Sequence, residues 1–296
     1  MTEENISSTY NPKNPFAHSC SRREFLKALA TLATTAVVLP TCGCFFIGSN
    51  TGDRRTGMHP YYLQKKDELI SDFDGLTTYL EPLLQQRIDP AIAKDTLQAA
   101  QLRYALILEE LPYIGGDGNW LTGNLIKGAM AAAFYLPMKE RGRNVDEVGR
   151  MFYEAVEKAM SDQLAHPKVR AHDTTAINMA RTKEQDFAIW TQKREYPYNW
   201  VSRYVECEGT PFDYGRDWLE CGIVKLHKHY GIAELSPYLC LLDHIVFRVS
   251  GQGLHRTKTL AMGDDCCDFQ INLGGGVISL EPFSEGRLRE WGKYIK

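Results

Sequence analysis

A basic excess is missing from this chain of 296 residues. It has 34 Lys and Arg against 37 Asp and Glu, a formal net charge of −3 at pH 7. General nucleic-acid binders need cations to displace the counterions of phosphate, so that class is disfavoured. No G-x-S-x-G elbow, H-E-x-x-H pair or G-x-x-x-x-G-K-[ST] loop occurs, which disfavours serine hydrolases of that type, zincins and P-loop enzymes. Cysteine is absent between Cys44 and Cys207. The five cysteines beyond that gap are an odd count, which argues against a pure disulfide framework.

What is present is ordinary for a globular protein: 44% hydrophobic and 24% charged residues. That balance excludes disorder as the main state, and also a collagen-like or multi-span membrane protein. The length suits one large domain or two small ones, and needs no disulfide staples to bury a core.

The N-terminus carries the sharpest motif. Ser21-Arg22-Arg23-Glu24-Phe25-Leu26-Lys27 matches a twin-arginine translocation signal, and the polar leader Met1 to Ser19 fits an export n-region. The apolar stretch Ala28 to Leu39 ends at Pro40 and is too short to cross a bilayer comfortably, as in a signal-peptide h-region. Thr41-Cys42-Gly43-Cys44 also reads as a weak lipobox with Cys44 lipidated. The expectation is a signal region over 1–44, a linker over 45–57 and a single α+β domain over 58–296. The expected destination is periplasmic or extracytoplasmic, with the translocase as a partner during export. Any membrane contact would run through the signal or a lipid.

Leu69, Ile70, Phe73, Leu76, Leu80, Leu83 and Leu84 recur at helical steps. Asp89-Pro90 reads as an N-cap followed by proline at the first helical position, with Pro112 ending that helix. Leu121 to Arg141 reads as a helix buried on most sides, and further helices are expected from Asn144 to Gln163 and over Ile177 to Thr191. The pattern then changes. Tyr196 to Glu206 reads as a strand and Tyr214 to Tyr230 as a helix. Ser236 to Val249 is apolar and fits either helix or strand, with its first half read as helix. Strands are expected over Leu254 to Met262 and Cys267 to Leu273, flanking Gly263-Asp264-Asp265, with one more over Val277 to Leu280. Helices over 58–195 followed by a mixed region over 196–296 predict an α+β class: a helical bundle packed on a C-terminal antiparallel sheet with a terminal β-hairpin.

Chemistry-bearing residues cluster in the C-terminal third. Glu206-Cys207 ends a strand. Cys240 and Asp243 share a face if their segment is helical, and a carboxylate inside an apolar run needs a partner. Arg256 and Lys258 share a face if theirs is a strand. Cys266-Cys267-Asp268 follows a Gly-Asp turn. Adjacent cysteines on a strand point to opposite faces, so they do not easily serve one tetrahedral zinc, and no metal or cofactor is called for. His227 and His229, two apart on the expected helix, do not face each other. The plain alternative for each cysteine is packing as a small apolar residue.

Taken in order, several segments resemble the L-2-amino-thiazoline-4-carboxylic acid hydrolase family. They are Tyr204-Val205-Glu206-Cys207, Leu239-Cys240 with Asp243, Arg256-Thr257-Lys258-Thr259-Leu260-Ala261-Met262-Gly263 and Cys267-Asp268-Phe269. Leu111-Pro112-Tyr113-Ile114-Gly115-Gly116 adds to the likeness, which covers roughly Met58 to Leu273. The end from Gly263 to Phe269 is also similar to vinyl-reductase-type small-molecule-binding domains, which supports the α+β class. The resemblance implies a hydrolase acting on C–N bonds of a small cyclic amidine or isothiourea. The twin-arginine leader, which departs from the cytoplasmic setting of that family's chemistry, adds the expectation of export. The family's namesake reaction gives N-carbamoyl-L-cysteine. Cys240, Asp243 and Glu206 are the catalytic candidates. Arg256, Thr259, Cys207 and Asp268 are the substrate-binding ones, and Cys267 and Cys221 are further candidates. Arg256 is expected to hold a substrate carboxylate, Asp243 or Glu206 to meet the amidine or activate water, and Cys240 to attack if its thiol is acidified. Two other readings stay open: a non-catalytic ligand- or cofactor-binding protein exported folded with a redox partner, and a structural accessory subunit.

Overall fold

The computed structural model describes residues 57–163 and 174–274. The signal region, nearly all of the linker and the strand expected over Val277 to Leu280 lie outside these residues. The architecture is α+β. Among the described residues eight α-helices accompany one four-stranded antiparallel sheet, which lies in the C-terminal part.

The helices begin with a short α1 (Pro60–Gln64) and α2 (Lys66–Gln85), which buries the leucine and phenylalanine stripe read from the sequence. In α3 (Pro90–Glu110) the Asp89 carboxylate accepts the Ala91 N–H at 2.8 Å, the cap that the Asp-Pro pair foretells. α4 (Leu121–Glu140) is enclosed on nearly all sides from Leu121 to Met138. α5 (Val145–Gln163) is amphipathic, with Val148, Met151, Phe152, Ala155, Val156, Ala159 and Met160 turned inward. α6 (Thr174–Gln192) lies against the first strand.

The sheet consists of β1 (Val201–Val205), β2 (Tyr214–Glu220), β3 (Gly253–His255) and β4 (Cys267–Asn272), in the order β1-β2-β4-β3. Between β2 and β3 come α7 (Gly222–His229) and α8 (Ser236–Val249). Buried apolar residues from the helices and the sheet form one continuous cluster. Among the described residues no helix is long and apolar enough to cross a membrane.

Two sequence readings need correction. Tyr214 to Tyr230 is not one helix but β2 followed by α7. β2 is a central strand, paired with β1 on one side and β4 on the other, and Tyr214, Gly215, Arg216 and Trp218 are all buried. Burial on both faces removes the two-residue alternation that betrays a strand. Leu254 to Met262 is not one strand either, because β3 stops at His255. Past it, side chains take the backbone donors that a ladder would use. Asp268 accepts the N–H groups of Thr257 at 2.8 Å and Lys258 at 2.5 Å, and Asp264 accepts that of Thr259 at 2.7 Å. β3 and β4 still pair antiparallel, so the hairpin stands with a longer connection than the Gly-Asp-Asp turn alone.

Candidate active site

One enclosed face of the sheet, α8 and the first two turns of α4 wall a cavity of about 120 Å³. The sheet register fixes the floor. Arg216 and Trp218 alternate on β2, Phe269 and Cys267 on β4, and Arg216 stands opposite Phe269 as Trp218 does opposite Cys267. On α8, Leu239, Cys240, Asp243, Val246 and Phe247 follow the three- and four-residue spacing of one helix face. Trp120, Asn124 and Lys127 do the same at the start of α4. Trp200 and Cys221 close the side next to α7.

The centre of the site is an ion pair. Arg256, only 1% exposed, donates from Nη1 to Asp243 Oδ2 at 2.7 Å and from Nη2 to the Cys240 carbonyl at 2.7 Å. Its guanidinium stacks on the Phe269 ring at 4.8 Å. Both terminal nitrogens are thus engaged, so Arg256 anchors Asp243 and α8 and offers no free fork to a substrate carboxylate. The Asp243 side chain is 39% exposed, and the residue lines the cavity. Its Oδ1 makes no hydrogen bond among the described residues. Burial pushes the Asp243 carboxyl above its usual range, while the Arg256 guanidinium pulls it back.

Arg216 is held by Glu184 at 3.0 Å and lies over Trp218 at 5.2 Å. Lys127 has neither hydrogen bond nor ion pair among the described residues, and burial pushes its ammonium down to about 7 against the attraction of Asp243. Three basic side chains and one acidic one line the cavity, and Glu184 is paired to Arg216 behind the lining. The balance stays one positive charge in favour of an anionic ligand when Lys127 is protonated.

The thiols behave differently from the expectation. Burial pushes Cys221 up to about 11 and Cys267 up to about 12, and raises Cys240 well above the usual thiol value. All three line the cavity as neutral thiols near pH 7, and all are free. This environment works against the thiolate that a nucleophilic Cys240 would need. Among the described residues no group of three His, Cys, Asp or Glu side chains is arranged to hold a metal ion.

The structure thus brings Cys240, Asp243, Arg256, Cys267 and Cys221 to one cavity. It places the other candidates elsewhere. Glu206 is exposed beyond the end of β1. Cys207 is buried, near the Val205 carbonyl at 3.9 Å. Thr259 is buried with its N–H on Asp264. Asp268 points from the opposite face of β4 and organises the 256–259 loop. Lys127, Asn124 and Arg216 are the polar residues that sequence reasoning missed. The available signal was a lysine in the middle of a helix that is apolar all round, which is costly unless the side chain has somewhere polar to go.

Behind the cavity-lining Ser236 lies His227, fully buried. Its Nε2 lies 3.1 Å from the Gly128 carbonyl and its Nδ1 2.9 Å from Ser236 Oγ. A carbonyl only accepts, so Nε2 carries the proton and Ser236 donates to Nδ1. Burial pushes His227 down to about 4, so the folded protein resists a proton that the unfolded chain takes up near 6.5. His227 therefore contributes stability that is full above pH 6.5 and is lost as pH falls towards 4, on the order of 3 kcal/mol in all. Asp72, pushed up to about 7 by burial, acts in the opposite sense. The difference between wild type and His227→Gln is therefore the informative quantity. Urea unfolding at pH 7 and pH 5 is expected to show a smaller acid loss in the variant, and equal losses would contradict the assignment.

The family model described as L-2-amino-thiazoline-4-carboxylic acid hydrolase matches residues 123–271, a span that holds every cavity-lining residue except Trp120. No curated protein and no solved structure matches the chain.

Proposed function

This chain belongs to the L-2-amino-thiazoline-4-carboxylic acid hydrolase family, and on that premise we propose that it opens a small cyclic isothiourea by hydrolysis in the cavity around Asp243. The observation that carries the reading is the half-occupied carboxylate. Arg256 fixes Oδ2, and Oδ1 makes no hydrogen bond among the described residues, on a side chain that lines the cavity. A base held at one oxygen and open at the other suits proton abstraction from a water. An aminothiazoline carboxylate complements the remainder: its ring suits the Trp120, Trp200 and Trp218 walls, and its carboxylate suits the cationic Arg216. The volume suits a single small ring, since cavities of about 150 Å³ hold benzene.

In this reaction water adds to the ring carbon that bears sulfur and both nitrogens, and its proton passes to Asp243 Oδ1. The hydroxyl proton of the tetrahedral intermediate moves to the ring nitrogen as the carbon–sulfur bond breaks and the carbonyl forms, and the proton held by Asp243 passes to the departing sulfur. One water is consumed and N-carbamoyl-L-cysteine results. The thiol set free gives the test. Purified protein incubated anaerobically with L-2-amino-thiazoline-4-carboxylate is expected to release one titratable thiol per turnover. Saturable binding without thiol release would make the protein a binder and overturn the hydrolase reading.

Export through the twin-arginine pathway belongs to the same proposal and rests on Ser21 to Lys27. Replacing Arg22 and Arg23 together by lysine is expected to retain the protein in the cytoplasm on cell fractionation. An unchanged distribution would remove that part.

A further inference from the structure

We infer that Lys127 captures small carbonyl compounds, an aldehyde or a 2-oxo acid, as a Schiff base inside the cavity. The argument starts from an amine without company. Lys65, Lys139, Lys158, Lys225 and Lys258 all form ion pairs, whereas Lys127 has none among the described residues although it projects from the most enclosed helix. A desolvated lysine beside other cations is the usual setting of an amine nucleophile. The ionisable groups around it are Asp243 and Cys240 from α8, Arg216 from β2, Cys267 from β4, Cys221 before α7 and Arg256 beyond β3. Burial outweighs Asp243 and brings the ammonium down to about 7, so free amine is present at neutral pH.

The chemistry closes with the groups present. The Lys127 amine adds to the carbonyl carbon, a nitrogen–carbon bond forms, and a proton moves from nitrogen to oxygen. The Asp243 carboxyl protonates the resulting hydroxyl, which leaves as water while the nitrogen lone pair forms the C=N bond, and the remaining N–H proton of the iminium returns to the Asp243 carboxylate. One amine and one carbonyl become one imine and one water. A carboxylate on the ligand lies in the field of Arg216. None of this requires the hydrolase reading.

The test is reductive trapping. Full-length protein is incubated with glyoxylate and cyanoborohydride and mapped by peptide mass spectrometry, with ring-opening turnover followed on the same samples. At pH 7 Lys127 is expected to label about 1,000-fold faster than a lysine with the free side chain's value near 10.4, which carries little free amine at that pH. Its labelling should rise about tenfold per pH unit below 7 and then level off. Lys127→Met, which relieves a desolvated charge, is expected to fold at least as stably and to lose the adduct. Lys127→Arg should lose it too. Labelling spread evenly over the lysines would overturn the inference. So would loss of turnover in Lys127→Met with no adduct on the wild type, because Lys127 would then be a base only.

Discussion

Replacing Arg256 by methionine is expected to lower the unfolding free energy by about 3–5 kcal/mol, the usual result of breaking a buried ion pair from one side. The variant loses two charge-assisted hydrogen bonds, to Asp243 and to the Cys240 carbonyl. It also leaves the cavity-lining Asp243 carboxylate without its counter-ion. Asp243 can take up a proton from the cavity side, which places the expectation near the lower bound. For a folded region of this size that corresponds to a fall of roughly 10 °C in melting temperature by calorimetry. The double variant Arg256→Met with Asp243→Leu is expected to recover much of the loss, since two apolar side chains replace a pair with no orphaned charge. Both variants should be inactive. A single variant as stable as wild type would mean that the pair contributes little and that Asp243 is held by something else.

Asp243→Asn separates chemistry from folding. The amide keeps the shape and still accepts a hydrogen bond from Arg256, but it cannot take a proton from water. Turnover is expected to fall 100- to 10,000-fold, the range for loss of a general base, with a smaller change in substrate binding. In the wild type the rate should decline as pH falls through a value above the ordinary carboxylate range, because burial raises the Asp243 carboxyl. The acid limb should vanish in Asp243→Asn. A variant with normal turnover would move the base to another group, with Lys127 the first to examine.

Much of this arrangement is legible in the chain. The i, i+3 spacing of Cys240 and Asp243 and the anomaly of a carboxylate in an apolar helix show that Asp243 needs a partner, but that the partner is Arg256, expected instead to hold a substrate carboxylate, appears only in the fold. The leucine stripe of α2 and the Asp89-Pro90 start of α3 follow from helical periodicity and capping alone. The rest depends on tertiary placement. β2 reads as a helix because burial on both faces of the sheet leaves it no solvent-facing alternation. Asp268 looks like a ligand-binding carboxylate beside Cys267, yet the strand turns it to the opposite face, where it holds a loop. The convergence of Cys221, Cys240 and Cys267 comes from three separate elements, and their sequence spacing carries no trace of it. Lys127 was visible as an anomaly, but only the cavity gives it a purpose.

The most direct test of the central claim is mass spectrometry of L-2-amino-thiazoline-4-carboxylate incubated with the purified protein in oxygen-18 water. The account predicts a product one water heavier than the substrate, with the label in the carbamoyl oxygen, formed by wild type and not by Asp243→Asn. Unchanged substrate in the presence of folded wild-type protein would contradict it and leave the cavity as a binding site without this chemistry.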